Sequence, residues 1–299
     1  MLRKISHILF QLLATFITIL CLINAPFLFT NMKEKSISFE PFQFINHVGG
    51  TLKELSLLQS LSFEQISLSG TRTIPLFPTV FEPYTYSFAI LFAAFFLALF
   101  IATGISYVYF LSSKQLKDKI DKIVFLLEAV PDVMIMIGLQ VFFMWVLRTT
   151  GNKPIEIMTF SDNRAYLLPI FCLAILPTLQ MFRMMILYIK EEEVKPYVEV
   201  AYGKGFSAGY IMRVHLFKNI VIHLFHHSKT IFVFLLSNLF VLEYVFHMHG
   251  IIKFLIQVQR FPTVTFVVLI MILLPFYVLS QISSNSMKKW QAQMKGEIA

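Results

Sequence analysis

Apolar residues in this chain gather in runs of about 20 or more, the length that carries an α-helix across ~30 Å of hydrocarbon. A backbone in that medium must satisfy its own hydrogen bonds, which leaves helices or a closed barrel. A barrel would show short segments of alternating polarity, and none is found. With 57% hydrophobic and 14% charged residues and a mean hydropathy of +0.72, the chain lies outside the range of soluble domains. It reads as an all-α integral membrane protein.

Six spans are predicted: Ile5–Phe29, Tyr84–Leu111, Ile123–Leu147, Ala165–Ile189, Leu224–Phe246 and Pro262–Ile282. The first is too long for a signal peptide, no A-x-A site follows it, and bulky Leu20 before Cys21 argues against a lipoprotein. Four regions follow: 1–29, the first span; 30–83, polar and punctuated by Gly49, Gly50, Gly70, Pro75 and Pro78, with helical leucine spacing over Phe42–Leu61; 84–284, a five-helix core; and 285–299, a basic tail lying on the membrane surface. The connector from Ser112 to Lys122 carries Lys114, Lys117, Lys119 and Lys122, and the tail carries Lys288, Lys289 and Lys295. Excess Lys and Arg marks cytoplasmic loops, so both termini are expected in the cytoplasm.

The net charge of +8 is scattered beside apolar runs and forms no basic face, so topology explains it and nucleic acid does not. Cys21 and Cys172 both fall inside spans and read as packing residues. His223, His226 and His227 have a spacing that can converge on one helix face, but no carboxylate or cysteine lies beside them. His247 and His249 lie about 30 Å further along a helix. No metal site is expected. There is no G-x-x-x-x-G-K-[ST] loop, the nearest stretch being Gly203–Phe206, and no G-x-S-x-G or H-E-x-x-H motif. No catalytic residue and no cofactor is therefore assigned to this chain.

Some acids and one arginine sit where charge is costly. Glu128, Pro131 and Asp132 fall in the third span, where an ionised group costs about 2.5–3.5 kcal/mol on insertion scales. Either the helix is kinked and lines a pathway, or Glu128 stays wet near one surface. Arg183 either pairs with Asp132 or snorkels to headgroups. Glu243, before Gly250, is either part of a gate at a helix break or an acid in interfacial water.

The stretch from Lys190 to His223 is too charged to enter a bilayer yet keeps helical patterning. Pro196 suits a first helical turn, Tyr197, Val198 and Ala201 share a face, and Gly203 and Gly205 end that helix. Ser207 can cap a second helix, with Ile211, Val214, Leu216 and Phe217 as its apolar stripe. A helix, a glycine turn and a helix between two spans can pass force from a soluble partner to the membrane.

Tyr197, Glu199, Ala201, Lys204, Gly205, His215 and Asn219 resemble the EAA loop of ABC importer permeases of the dipeptide and oligopeptide branch. Arg183, fourteen residues before Tyr197, resembles an arginine of that branch, and Pro131 with Asp132 resembles the P-D/S-F turn of its third span. Glu243, Phe246 and Gly250, then Arg260 and Pro262, resemble its E-x-x-F-x-x-P-G and D-Y-P segment. The chain departs from the pattern at His223 and His249, where prolines are usual, at Arg260 and Phe261, and in lacking P-G-D-P and D-P-R.

The resemblance implies a type I importer bundle of six helices with a cytoplasmic coupling helix in the loop 190–223. Its ATPase-coupling residues would be the seven just named, and its pathway or gate residues Pro131, Asp132, Arg183, Glu243 and Gly250. It further implies separate ABC ATPase subunits holding ATP and Mg, a second permease subunit, an extracytoplasmic solute-binding protein against the 30–83 segment, and surrounding lipid. The setting would be a bacterial plasma membrane and the cargo a peptide or similar small solute. A proton-coupled secondary transporter would lean on Asp132, Glu128 and Arg183 but should show inverted repeats, which are not found. An accessory or sensor protein is the other alternative.

Overall fold

The computed structural model describes residues 2–29, 39–67, 70–150 and 164–294. In chain order these form α1 (Leu2–Asn24), α2 (Pro41–Leu55), strands β1 (Ser62–Ser67) and β2 (Gly70–Pro75), α3 (Leu76–Thr79) and α4 (Phe81–Leu111). Then come α5 (Lys114–Glu128), α6 (Asp132–Thr150), α7 (Leu167–Glu193), α8 (Pro196–Gly203) and α9 (Ala208–Ile211), the last running through a π-turn at Met212–Leu216 into α10 (Phe217–His226). The chain continues as α11 (Ser228–Val245), α12 (Ile251–Val258) and α13 (Pro262–Met294).

By length and composition α1 with its following turn, α4, α7 and the first part of α13 can each cross a bilayer. Two further passages are bent pairs, α5 with α6 at 95° and α9–α10 with α11 at 59°, giving six spans when each pair is one. The third span was expected as one helix over Ile123–Leu147 after a connector. Instead, the connector is already helical from Lys114 and the helix stops at Glu128. Pro131 accounts for the stop, because it lacks an N–H, clashes with the preceding turn and disfavours helical geometry at Val130. Its carbonyl then accepts from Met134 N at 2.9 Å, the first turn of α6.

The described residues divide into two compact units, Met1–Thr85 with Ile251–Leu274, and Tyr86–Gly250 with Pro275–Ala299. In the first, Asn24 is fully buried at the end of α1, where its Nδ2 donates to Leu20 O at 2.9 Å and its Oδ1 accepts from Thr51 Oγ1 of α2 at 3.3 Å. The polar segment carries an antiparallel hairpin, Ser62 opposite Pro75 and Ser67 opposite Gly70, where only short helices and loop were expected. Its signal is the alternation of Ser62, Phe63 and Glu64 and the β-branched Thr71, Thr73 and Ile74. Phe63 turns inward and meets Phe254 of α12 edge-on at 5.4 Å.

The second unit is built around α7, which packs against α5, α6, α8, α10 and α11. On α4, Ala94, Ala98 and Ala102 are fully buried one turn apart, a stripe of small residues that lets helices approach closely. Pro177 removes one hydrogen bond inside α7, and Thr178 Oγ1 binds Ala174 O at 2.7 Å in the same turn. The tail, expected on the membrane surface, continues α13 as helix to Met294. Residues 151–163, part of the loop expected between the third and fourth spans, lie outside the described residues, as do 295–299.

Candidate functional site

The stretch after α7 folds as a helical elbow. Pro196 opens α8 in the first turn, and Val198 and Ala201 turn into the core. The helix ends at Gly203, and Gly205 takes φ +80°, a left-handed conformation that a side chain resists. Ser207 then caps α9, its side chain accepting from Tyr210 N at 3.4 Å. The predicted apolar stripe is partly corrected: Ile211 and Leu216 are buried with Met212 and Ile220, while Val214 and Phe217 are exposed. The π-turn holds one extra residue, and that insertion rotates the following face by about 100°.

Under the elbow lies a buried carboxylate. Glu192, in the last turn of α7, has 2% of its surface exposed. Its Oε1 accepts from Lys195 Nζ, and its Oε2 accepts from Tyr197 Oη and, at 3.1 Å, from Asn219 Nδ2 of α10. Asn219 also donates to Tyr197 Oη at 3.3 Å, and His223 Nε2 stands 4.0 Å from Glu192 Oε1. A buried carboxylate with three donors, one of them the Lys195 cation, is satisfied, whereas one stripped of them would be strongly destabilising. Burial first, then the hydrogen bond to Glu192 and its charge, push the Tyr197 phenol up to about 12.

The opposite face of the elbow is open. Val194 is 83% exposed, and Val200, Tyr202, Phe206, Tyr210 and Val214 are also exposed. Phe206 stacks on Tyr210 with ring centroids 4.9 Å apart, and His215 lies 6.0 Å from Tyr210. Glu199 within α8 and Lys204 just after its end are exposed. Such an exposed apolar, aromatic patch marks a surface that something else covers, protein or lipid.

A second cluster lies at the bend between α5 and α6. Arg183 of α7 donates to Glu128 Oε2, a partner that neither sequence alternative, Asp132 or the headgroups, had named; Asp132 itself opens α6. The Arg183 side chain is 63% exposed and Glu128 25%. Beside them, a cavity of about 670 Å³ opens between α5 and α7, lined by Asp121, Lys122, Phe125, Leu187 and Lys190. Asp121 accepts from Tyr109 Oη at 3.0 Å.

The third cluster is at the far end of α11. Glu243 is 1% exposed, so it does not sit in interfacial water, and its Oε1 accepts from Ser87 Oγ of α4 at 2.6 Å. The helix ends at Val245, His247 takes φ 52°, and Met248 N returns to Glu243 O at 2.9 Å. A Cβ on Gly250 would run into the Glu243 carboxyl group and Ser87 Oγ, so any larger residue there forces those side chains to move. The expected helix break before Gly250 is therefore present.

The structure brings Tyr197 and Asn219 together and joins Glu243 to Gly250, while Arg183 belongs to the separate cluster at Glu128. Sequence reasoning missed Glu192 and Ser87. Of the acids Glu191, Glu192 and Glu193, only Glu192 continues the buried periodicity of Met185 and Ile189, a signal that was available. His223 stacks on Tyr188 at 4.8 Å. Among the described residues no three His, Cys, Asp or Glu side chains form a metal site.

The described helices thus offer up to six candidate spans, two of them bent pairs, with the short helix α8 between α7 and the second bent pair. Residues 94–290 match the family model of the binding-protein-dependent transport system inner membrane component. The chain belongs to that family and is the permease subunit of an ABC importer. Among solved structures similar in fold is a chain of the MetNI methionine ABC transporter in inward-facing conformations. It is 16% identical at a TM-score of 0.50, with 70% of this chain and 93% of that chain covered. At that identity the likeness is one of fold alone. No curated protein sequence matches.

Proposed function

We infer that this permease forms half of a solute pathway and takes its power stroke through the elbow 190–223, read as an EAA-type coupling loop facing the cytoplasm. The observation that carries the reading is the two-sided elbow. Val198 and Ala201 are buried against the bundle while Val200, Tyr202, Phe206 and Tyr210 face outward. In a member of this family, the partner fitting that patch is a separate ABC ATPase subunit that holds ATP and Mg.

ATP binding would close the ATPase subunits and displace α8, and the displacement would tilt α7 and the α10–α11 passage. Tilting opens or closes a pathway shared with a second permease subunit, an alternating-access cycle. The bent passages at Pro131 and His227 would supply joints for this motion; the Arg183–Glu128 pair lies at the first of them, and the Glu243–Gly250 turn lies at the opposite end of α11 from the second. The membrane would be the plasma membrane of a bacterium, with lipid around the exposed apolar faces, both termini cytoplasmic, and no contact with nucleic acid. An extracytoplasmic solute-binding protein would deliver cargo to the 30–83 side. The family resemblance favours a peptide or similarly sized solute.

Co-purification tests the reading. ATPase subunits encoded beside this chain should be retained by the tagged permease in detergent. Tyr202→Asp combined with Phe206→Asp should lower the retained amount at least tenfold with unchanged membrane insertion. Equal retention, or labelling of Val200→Cys by an impermeant thiol reagent from outside intact cells, would overturn it.

A further inference from the structure

Force entering at α8 is useful only if α8 cannot swivel on its own. The short helix is flanked by Val194 and Lys195 on one side and by the Gly203–Ser207 turn on the other, and Gly205 is the most permissive backbone position of that turn. Val198 and Ala201 anchor it by apolar contact, which is non-directional. Directional restraint comes from Glu192. Its two oxygens divide the work: Oε1 takes Lys195 at the start of α8, and Oε2 takes Tyr197 of α8 together with Asn219 of α10. Asn219 closes a triangle by also reaching Tyr197 Oη at 3.3 Å. One buried carboxylate thus fastens three helices, and the ionised form supplies the strongest acceptors available to neutral and charged donors alike. The groups facing it are Lys195 just before α8, Tyr197 from α8, and Asn219 and His223 from α10.

We propose that Glu192 is the positioning residue of the elbow, clamping α8 to α7 through Tyr197 and both to α10 through Asn219 so that the three helices move as one rigid body. The functional use of that rigidity rests on the coupling role proposed above, whereas the clamp itself is testable without any ATPase.

The test uses spin-label distances on the full chain alone in lipid nanodiscs, in a background carrying Cys21→Ser and Cys172→Ala. One label pair, at Val200→Cys and Lys218→Cys, reports α8 against α10. A second, at Val200→Cys and Leu187→Cys, reports α8 against α7. The parent should give narrow distributions for both. Glu192→Ala should at least double both widths, while a pair within α4, at Phe96→Cys and Ile105→Cys, stays unchanged. Glu192→Gln should recover a near-parental α8–α10 width, because its amide oxygen still accepts from Tyr197 and Asn219. Asn219→Leu should widen only the α8–α10 pair. Parental widths in Glu192→Ala would overturn the proposal, as would equal broadening of both pairs in Asn219→Leu. Should Glu192→Ala not insert, the selective effect of Asn219→Leu decides. Failure of ATPase co-purification with these distances intact would sink the coupling reading and leave the clamp standing.

Discussion

Glu243 and Gly250 meet across the turn that ends α11, with the carboxylate so close that a Cβ on Gly250 would clash with it. Ser87 Oγ closes the third side at 2.6 Å from Glu243 Oε1. A buried acid and a glycine are thus interdependent: the turn exists in this form because nothing projects from residue 250. Gly250→Ala should cost about 1–3 kcal/mol through overpacking, seen as a lower Tm in nanodiscs. Gly250→Ala with Glu243→Ala should be less harmful than the sum of the two single changes, because truncating the acid makes the room the methyl needs. Strict additivity would contradict the packing described.

Tyr197 enters the elbow as a neutral hydrogen-bond donor to Glu192. Its pKa is raised from the model-compound value of 10.0 to about 12, by burial first and then by Glu192. A raised pKa means the folded state holds the proton more tightly than the unfolded chain. The contribution is therefore complete below pH 10 and lost as pH rises from there through about 12. The difference in phenolate absorbance between the parent and Tyr197→Phe should accordingly titrate near pH 12. A midpoint near 10 would show the hydroxyl to be free.

How much of this was legible beforehand depends on the range over which the causes act. The spans follow from hydrophobicity summed over 20 or so residues, so α1, α4, α7 and α13 stand where the apolar runs predicted. The elbow follows from local rules as well: Pro196 at a first turn, Gly205 at a positive φ, and Ser207 at a cap. What local rules do not contain is pairing. For Arg183 the sequence offered Asp132 or the headgroups, and the Glu128 it meets lies fifty-five residues away at the end of α5, a contact that no local rule contains. Glu192 sits in a row of three glutamates, and its importance depends on Asn219, twenty-seven residues away, arriving beside it. The π-turn shifted the buried face of α9–α10 by one residue, which a fixed 3.6-residue period cannot anticipate.

The Arg183–Glu128 pair should contribute little to stability. Where the arginine side chain, 63% exposed, is wetted through the adjoining cavity, the attraction is screened and worth about 0.2–1 kcal/mol. Arg183→Met, Glu128→Gln and the double variant should all melt close to the parent, with a coupling energy below about 1 kcal/mol in a double-mutant cycle. A larger coupling would mean that the bend at Pro131 depends on this ion pair rather than on the proline.

Two glycines separated by one residue should respond oppositely to the same methyl group. Gly203 closes α8 with helical geometry, and Gly205 holds φ +80°; a Cβ at either would meet nothing within 4 Å. Sterics with the surroundings are therefore equal, and only backbone preference differs. Alanine at 203 restricts the unfolded chain at a helical position and should stabilise by about 0.4–1 kcal/mol. Alanine at 205 must adopt a left-handed conformation, at a cost of about 1–2 kcal/mol. Because the strain is relieved by straightening the turn between α8 and α9, Gly205→Ala should also loosen the Phe206–Tyr210 stack and weaken retention of an ATPase subunit, while Gly203→Ala leaves retention intact. Thermal melts and co-purification of the two variants side by side check both halves, and equal behaviour would show that the turn does not need its positive φ.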